Sequence, residues 1–228
     1  MAFLDDDAVA EPTWLETILR GYDGGAVLGV GGSIQPIWRA GRPRWFPDEF
    51  GWVVGCSYTG LPDHRSPVRN LIGTNMSFGR DVLTAVGGFD SRVGRRGTLP
   101  IGCDETELCI RAMQHWPGRF VVYDPSARVS HNVPASRSRW RYFVSRCYAE
   151  GRSKAAVARL VGSHDGLSSE LRYSTRVLPA GLVRGLRDAF VRGDAGGLGR
   201  AAAIVLGLAV TTVGFVAGRF EGARGTAR

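Results

Sequence analysis

Phe3-Leu4-Asp5-Asp6-Asp7-Ala8 sets two apolar residues directly before three carboxylates. Pro12 and Trp14-Leu15 then open a helical pattern, so the stretch reads as the C-terminal end of a buried strand with acids projecting from its tip. Clustered carboxylates repel and desolvate one another, and they sit together mainly when a cation lies among them. Oxygen donors at that density suit Mg²⁺ or Mn²⁺ rather than zinc. The stretch alone also admits a second reading, an acidic turn complementing the dipole of the helix from Pro12 through Arg20.

The chain has 228 residues, 44% of them hydrophobic, enough for one full domain and an appendage. Its net charge of +8 is unevenly placed. Residues 1–136 carry 13 Arg against 15 acids, a net of −2, whereas residues 137–200 carry 13 Lys and Arg against 5 acids, a net of +8. The remaining tail adds +2. A basic region confined behind an acidic body, next to an apolar segment, fits an anionic membrane surface and argues against nucleic acid as a partner. Cys56, Cys103, Cys109 and Cys147 form no CxxC pair and no zinc-spaced cluster with histidine, so reduced thiols are expected rather than a disulfide framework. Met1 leads straight into the strand-like segment, with no secretory signal pattern. That abrupt start resembles the middle of an α/β domain.

Further along, Glu11–Tyr22 has Trp14, Leu15, Ile18 and Leu19 at helical spacing, and 26–32 reads as a buried, glycine-rich strand. Residues 34–58 are rich in Trp, Phe, Pro and Gly, which predicts an aromatic loop serving as core or lid, or as a surface for a sugar acceptor. Gly73-Thr74-Asn75-Met76-Ser77-Phe78 predicts a short strand, followed by a helix over 81–86 that Gly87-Gly88 closes. Residues 91–103, with Arg92, Arg95 and Arg96, read as a basic loop able to close over phosphates. Asp104-Glu105-Thr106-Glu107-Leu108 starts a helix running to about His115. Its acids either cap and tune that helix or place one carboxylate, Asp104 or Glu105, in a cavity as a general base. Strands are predicted at 120–123 and 127–131, the second ending at His131. That imidazole is either structural or a further donor to a metal held by the early acids.

The last part is helical. An amphipathic helix is predicted over 139–160, with Trp140, Phe143, Cys147, Gly151, Ala155 and Ala158 on its packed face and Arg146 and Arg152 elsewhere. A loop follows over 162–176, then a second amphipathic helix over 178–191. Residues 201–218 carry no charge, near the lower limit for a membrane span. The tail from Phe220 is expected to be disordered. The resulting division is 1–136, 137–200, 201–219 and 220–228.

Together these blocks resemble the family 2 (GT-A) glycosyltransferases, over roughly residues 2–160. The resemblance is carried, in order, by Phe3–Asp7, Gly73–Phe78, Gly87-Gly88-Phe89-Asp90, Asp104–Leu108 and Val129-Ser130-His131. It implies an α/β fold: a partial GT-A (Rossmann-like) sheet with flanking helices, followed by a helical, membrane-associated C-terminal appendage. Asp5, Asp6 and Asp7 match the DxD region that binds the donor, Asp5, Asp7 and His131 the ligands of Mn²⁺ or Mg²⁺, and Glu105 the catalytic base, with Asp104 as the fallback. The family order at that last pair is Glu-Asp, and here it is reversed. Ser136-Arg137-Ser138-Arg139-Trp140 resembles a degenerate QxxRW signature, its glutamine replaced by Ser136, which implies addition of one or a few sugars rather than a polymer.

The function so implied is metal-dependent, inverting transfer of a sugar from a nucleotide-sugar donor to a glycan or lipid-linked acceptor at the cytoplasmic face of the membrane. The family's nucleotide-binding half normally precedes the DxD strand, so the reading also expects a partner chain, or a longer gene product, to supply it, and weak activity without it. Two other classes are kept beside it. One is a non-catalytic, membrane-associated remnant or partner subunit. The other is a metal-dependent phosphoesterase, for which the sequence lacks ligands for a second metal.

Overall fold

The computed structural model describes residues 1–94 and 102–225, with side chains through Glu221. Arg95 and Arg96 of the expected phosphate-closing loop, and the end of the expected disordered tail, lie outside these residues. A mixed sheet of six strands forms the body: β1 (Ala2–Leu4), β2 (Ala8–Ala10), β3 (Val27–Trp38), β4 (Ser66–Val68), β5 (Asn75–Phe78) and β6 (Phe120–Val133). The strand order is β1-β5-β3-β6-β2, with β4 also on β6. β3 and β6 run parallel, and the other pairings between these strands are antiparallel. The expected α/β class holds in this mixed form.

β1 and β2 stand at opposite ends of the strand order, yet only Asp5, Asp6 and Asp7 separate them in sequence. Five strands laid flat would put the outer two roughly 19 Å apart, at about 4.8 Å per spacing. Instead the Ala8 N–H donates to the Asp5 carbonyl at 3.0 Å, a turn whose ends lie within about 7 Å. The sheet therefore curls, and its two edges approach each other at the three aspartates.

Asn75 ties β3 to β6 where their register shifts. Its side chain is fully buried, with Nδ2 donating to the carbonyls of Ser33 at 3.1 Å and Ala127 at 2.8 Å. Its Oδ1 accepts from Trp14 Nε1 at 2.8 Å, so one amide satisfies groups from three segments that a bulge would otherwise orphan. At the same bulge a Cβ on Gly32 would lie 1.9 Å from the Ala127 carbonyl oxygen, which leaves room for glycine alone.

Several elements differ from the sequence reading. The helix α1 spans only Trp14–Arg20, because 8–10 are drawn into β2 and Glu11 N–H bonds to the Arg128 carbonyl; Leu15 and Leu19 are exposed. β3 continues through 34–38, where β6 supplies its bonds. Pro36 is tolerated because β5 has ended and that side of β3 is an edge. The two strands expected at 120–123 and 127–131 are one, β6, with Asp124 Oδ1 accepting from the Ser126 N–H at 2.9 Å across the irregularity. α2 (Arg80–Val86) and α3 (Asp104–His115) lie as expected and cover Leu28, Met76, Phe78 and Val121 of the sheet with Leu83, Leu108 and Cys109.

Most of the aromatic segment is core, while Trp52 and Tyr58 line a cleft. Phe46 and Phe50, the latter in a 3₁₀ turn at Asp48–Val54, pack against Phe143 of α4 (Trp140–Val161), and Trp45 meets Trp140 edge-on at 4.5 Å. Residues 162–176 are not a loop. They form the short turns α5 (Ser163–Gly166) and α6 (Glu170–Arg172), then a π turn at Tyr173–Val177 leading into α7 (Leu178–Arg192). Tyr173 anchors them, its hydroxyl donating to the Glu49 carbonyl at 2.5 Å. The last helix, α8, runs Gly196–Gly225, so 220–225 are helical rather than disordered. Its glycines serve packing: a Cβ on Gly214 would lie 2.2 Å from the Tyr148 carbonyl, and one on Gly151 of α4 would lie 2.0 Å from that of Thr211. Small residues here let two helices cross backbone to backbone. α8 is long and apolar enough to cross a membrane, with a third of its span buried in the protein. One core cluster joins Ile34, Val129 and Val133 of the sheet to Phe143, Cys147, Leu178 and Ile204 of the helices.

Candidate active site

The pairing of β1 with β5 sets Leu4 across from Asn75 and brings Asp5 beside Thr74, whose hydroxyl donates to Asp5 Oδ2 at 2.7 Å. On the other edge Ala8 pairs with His131, and Asn132 donates twice, from its backbone N–H and its Nδ2, to the Asp7 carbonyl at 3.0 Å each. With its backbone so fixed, Asp7 places Oδ1 3.0 Å from His131 Nε2. Ligand atoms of Asp5, Asp7 and His131 all lie within 4.8 Å of one another. Asp6, between them, is exposed and outside this group.

His131 is 1% exposed, and its other nitrogen, Nδ1, lies 3.5 Å from Cys56 Sγ. Burial pushes that thiol up to about 12, so it remains protonated beside the ring. Gly55 takes a left-handed conformation (φ 76°), and a Cβ on it would stand 3.2 Å from His131 Cε1 and 3.5 Å from Thr74 Oγ1. The chain thus keeps that approach clear. Two carboxylates and one imidazole at this spacing fit a hard to borderline divalent cation, and the ring favours Mn²⁺ over Mg²⁺.

Cys103 precedes α3 with φ 70°, the one left-handed non-glycine among the described residues, and its thiol donates to Glu150 Oε1 at 3.4 Å. The turn it makes delivers Asp104 and Glu105 into a cleft of about 870 Å³ that Asp5, Thr74, Trp52 and Tyr58 also line. Burial, followed by the neighbouring Asp104 charge and a hydrogen bond shared with it, pushes Glu105 up to about 8. Glu107 faces the other way. It is 1% exposed and pairs with Arg111 at 2.6 Å, while Arg111 also donates to the carbonyls of Val86 and of Gly88, the latter at 2.7 Å. This acid of the motif therefore clamps the Gly87-Gly88 turn to α3.

The helical side of the cleft is lined by residues outside the quoted motifs. Arg146, expected off the packed face of α4, is there with Glu150 at 2.9 Å. Lys154 meets Glu170 at 2.6 Å, and Arg69 meets Glu170 at 3.1 Å. The signal available in sequence was slight: Lys154 is the only lysine in the chain, one turn after Glu150. Arg92 is paired with Asp90 at 2.6 Å. Trp140, from the degenerate QxxRW stretch, stacks on Phe143 at 5.5 Å in the aromatic core.

No protein-family profile matches the chain. Over 158 residues, 69% of its length, it is 41% identical to a glucosyl-dolichyl phosphate glucuronosyltransferase of Haloferax volcanii. The chain spans about half the length of that relative, the matched region making up 50% of it.

Proposed function

We propose that this chain carries the acceptor and metal side of a glycosyltransferase, which moves a sugar, glucuronate by analogy with the relative, from a nucleotide-sugar donor to a lipid-phosphate-linked sugar. The observation that carries the reading is that Asp5 and Glu105 line one cleft while Asp5, Asp7 and His131 group their ligand atoms at its edge. The identity to a glucuronosyltransferase supports the same class.

Asp5, Asp7 and His131 would hold Mn²⁺ or Mg²⁺, and the bound ion supplies positive charge that offsets the charge on the departing diphosphate. Glu105, deprotonated, accepts the proton of the acceptor hydroxyl as that oxygen bonds to the anomeric carbon. The bond from that carbon to the diphosphate oxygen breaks with its electron pair, and single displacement inverts the centre. The raised affinity of Glu105 for a proton makes it a stronger base than an exposed glutamate. The hydrogen bond to Asp104 forms only while Glu105 is protonated, and it orients that carboxyl in the resting cleft. The amphipathic, basic helix α7 and the apolar helix α8 would seat the enzyme on the cytoplasmic face of the membrane, within reach of a lipid-linked acceptor.

The test is transfer of radiolabelled glucuronate from its uridine diphosphate ester to a glucosyl polyprenyl phosphate in the presence of Mn²⁺, with the protein expressed from its whole reading frame. Glu105→Gln is expected to lower turnover by roughly 10²–10⁴-fold, the usual worth of a general base. Turnover unchanged in that variant would contradict the assignment.

A further inference from the structure

Sugar transfer leaves unused the part of the cleft that the helices supply. Arg69, just after β4, lines it with Arg146 and Lys154, about two turns apart on α4, and with Arg172 of α6. Glu150 and Glu170 lie among these cations, while Asp5, Asp104 and Glu105 line the rest of the cleft, so the four cations are gathered at its helical end. The side chains of Arg69, Arg146 and Lys154 are 15%, 18% and 19% exposed. Withdrawing so much charge from water is costly, and ion pairing seldom recovers it fully, so such a cluster in a cleft wall is poorly explained as a stabilising device. Burial pulls the Lys154 ammonium down, but Glu170 and Glu150 hold it above its usual range, and it stays charged. Arg172 is exposed and has no carboxylate partner among the described residues.

The surroundings of this cluster select among anions. Leu171, next to Arg172 on α6, is 72% exposed, and α7 continues from there with Val183, Phe190 and Val191 exposed. A hydrocarbon chain attached to an anion at Arg172 would meet exposed Leu171 first, and the helix that follows in the chain carries further exposed apolar residues. A donor diphosphate, by contrast, can approach the carboxylates of Asp5 and Asp7 only through a divalent cation. Arg146 links the two regions, since its guanidinium would lie 3.2 Å from a Cβ on Gly102, two residues before the carboxylate pair.

We propose that Arg172 and Lys154, supported by Arg69 and Arg146, bind the phosphate of a lipid-phosphate acceptor, leaving the sugar on that phosphate to reach Glu105. The acceptor's role rests on the sugar-transfer reading, but the binding does not require turnover.

The experiment is calorimetric titration of the whole chain in EDTA with dodecyl phosphate below its micelle concentration, against dodecyl maltoside and inorganic phosphate. Dodecyl phosphate is expected to bind at least tenfold tighter than either. Arg172→Gln, at an exposed position whose loss leaves the fold intact, should weaken it about fivefold, and Lys154→Met about tenfold with an unchanged near-ultraviolet circular dichroism spectrum. Equal affinity for dodecyl maltoside overturns the anion site, and equal affinity for inorganic phosphate overturns the lipid part. Binding that requires Mn²⁺, or that Arg172→Gln leaves unaltered, also overturns it. Dodecyl phosphate bound as expected with no sugar transfer would sink the transfer reading alone, whereas transfer without such binding would sink only this site.

Discussion

Glu105 carries the most exposed consequence at the scale of single residues. Its carboxyl sits near about 8 in the fold and at the ordinary 4.5 when unfolded, with Asp104 and Glu150 as its acidic neighbours and Arg146 as the facing cation. The folded state therefore binds that proton more tightly than the unfolded chain. The contribution is fully present below about pH 4.5 and is lost as pH rises through about 8. Urea unfolding of wild type and Glu105→Gln checks this: the variant should lose less stability between pH 5 and pH 9 and be the more stable of the two at pH 9. Identical slopes would contradict it. At this scale the acids can be named as candidates from their short motifs, and His131 from its place at a strand end together with the family resemblance. Cys56, Arg146 and Lys154 were not. Their surroundings come from segments tens of residues away, and a helical wheel cannot tell a cleft from solvent.

Among the elements, one buried pair adds to the apolar packing that couples α2 to α3. Arg111 holds Glu107 and the carbonyls of Val86 and Gly88 together, so Arg111→Met leaves a carboxylate inside without its partner. The expected loss is about 3 kcal/mol in denaturant unfolding, partly recovered in the double variant with Glu107→Gln. A loss below about 1 kcal/mol would mean that the pair behaves as a surface one. The helices α4 and α7 could be placed from their apolar spacing, α3 from the acids of its first turn and α2 from the glycine pair that closes it. The full lengths of β3 and β6 could not. Pro36 and Asp124-Pro125 read as breaks, and only the parallel pairing of the two strands, with Asn75 filling the irregularity, carries the chain through them.

For the whole molecule, the glycines that made α8 a weak membrane candidate in sequence are spent on its crossing with α4, and its remaining face is apolar and open. Phe190 is 77% exposed, with Val191 and Val213 also exposed, beside a region of net +8 over residues 137–200. Vesicles rich in anionic lipid should bind the protein more tightly than neutral ones, and Phe190→Glu with Val191→Glu should weaken that binding roughly tenfold in a flotation assay. Equal partitioning to both kinds of vesicle would contradict a basic, apolar docking face. The curl of the sheet is the feature on which the functional account rests, because it brings Asp5 and Asp7 to an imidazole 124 residues further along the chain. Titration of Mn²⁺ followed by electron paramagnetic resonance measures that convergence directly. The account predicts one site in the wild-type protein, weakened by at least roughly tenfold in both Asp7→Asn and His131→Ala. Wild-type affinity in both variants would contradict it.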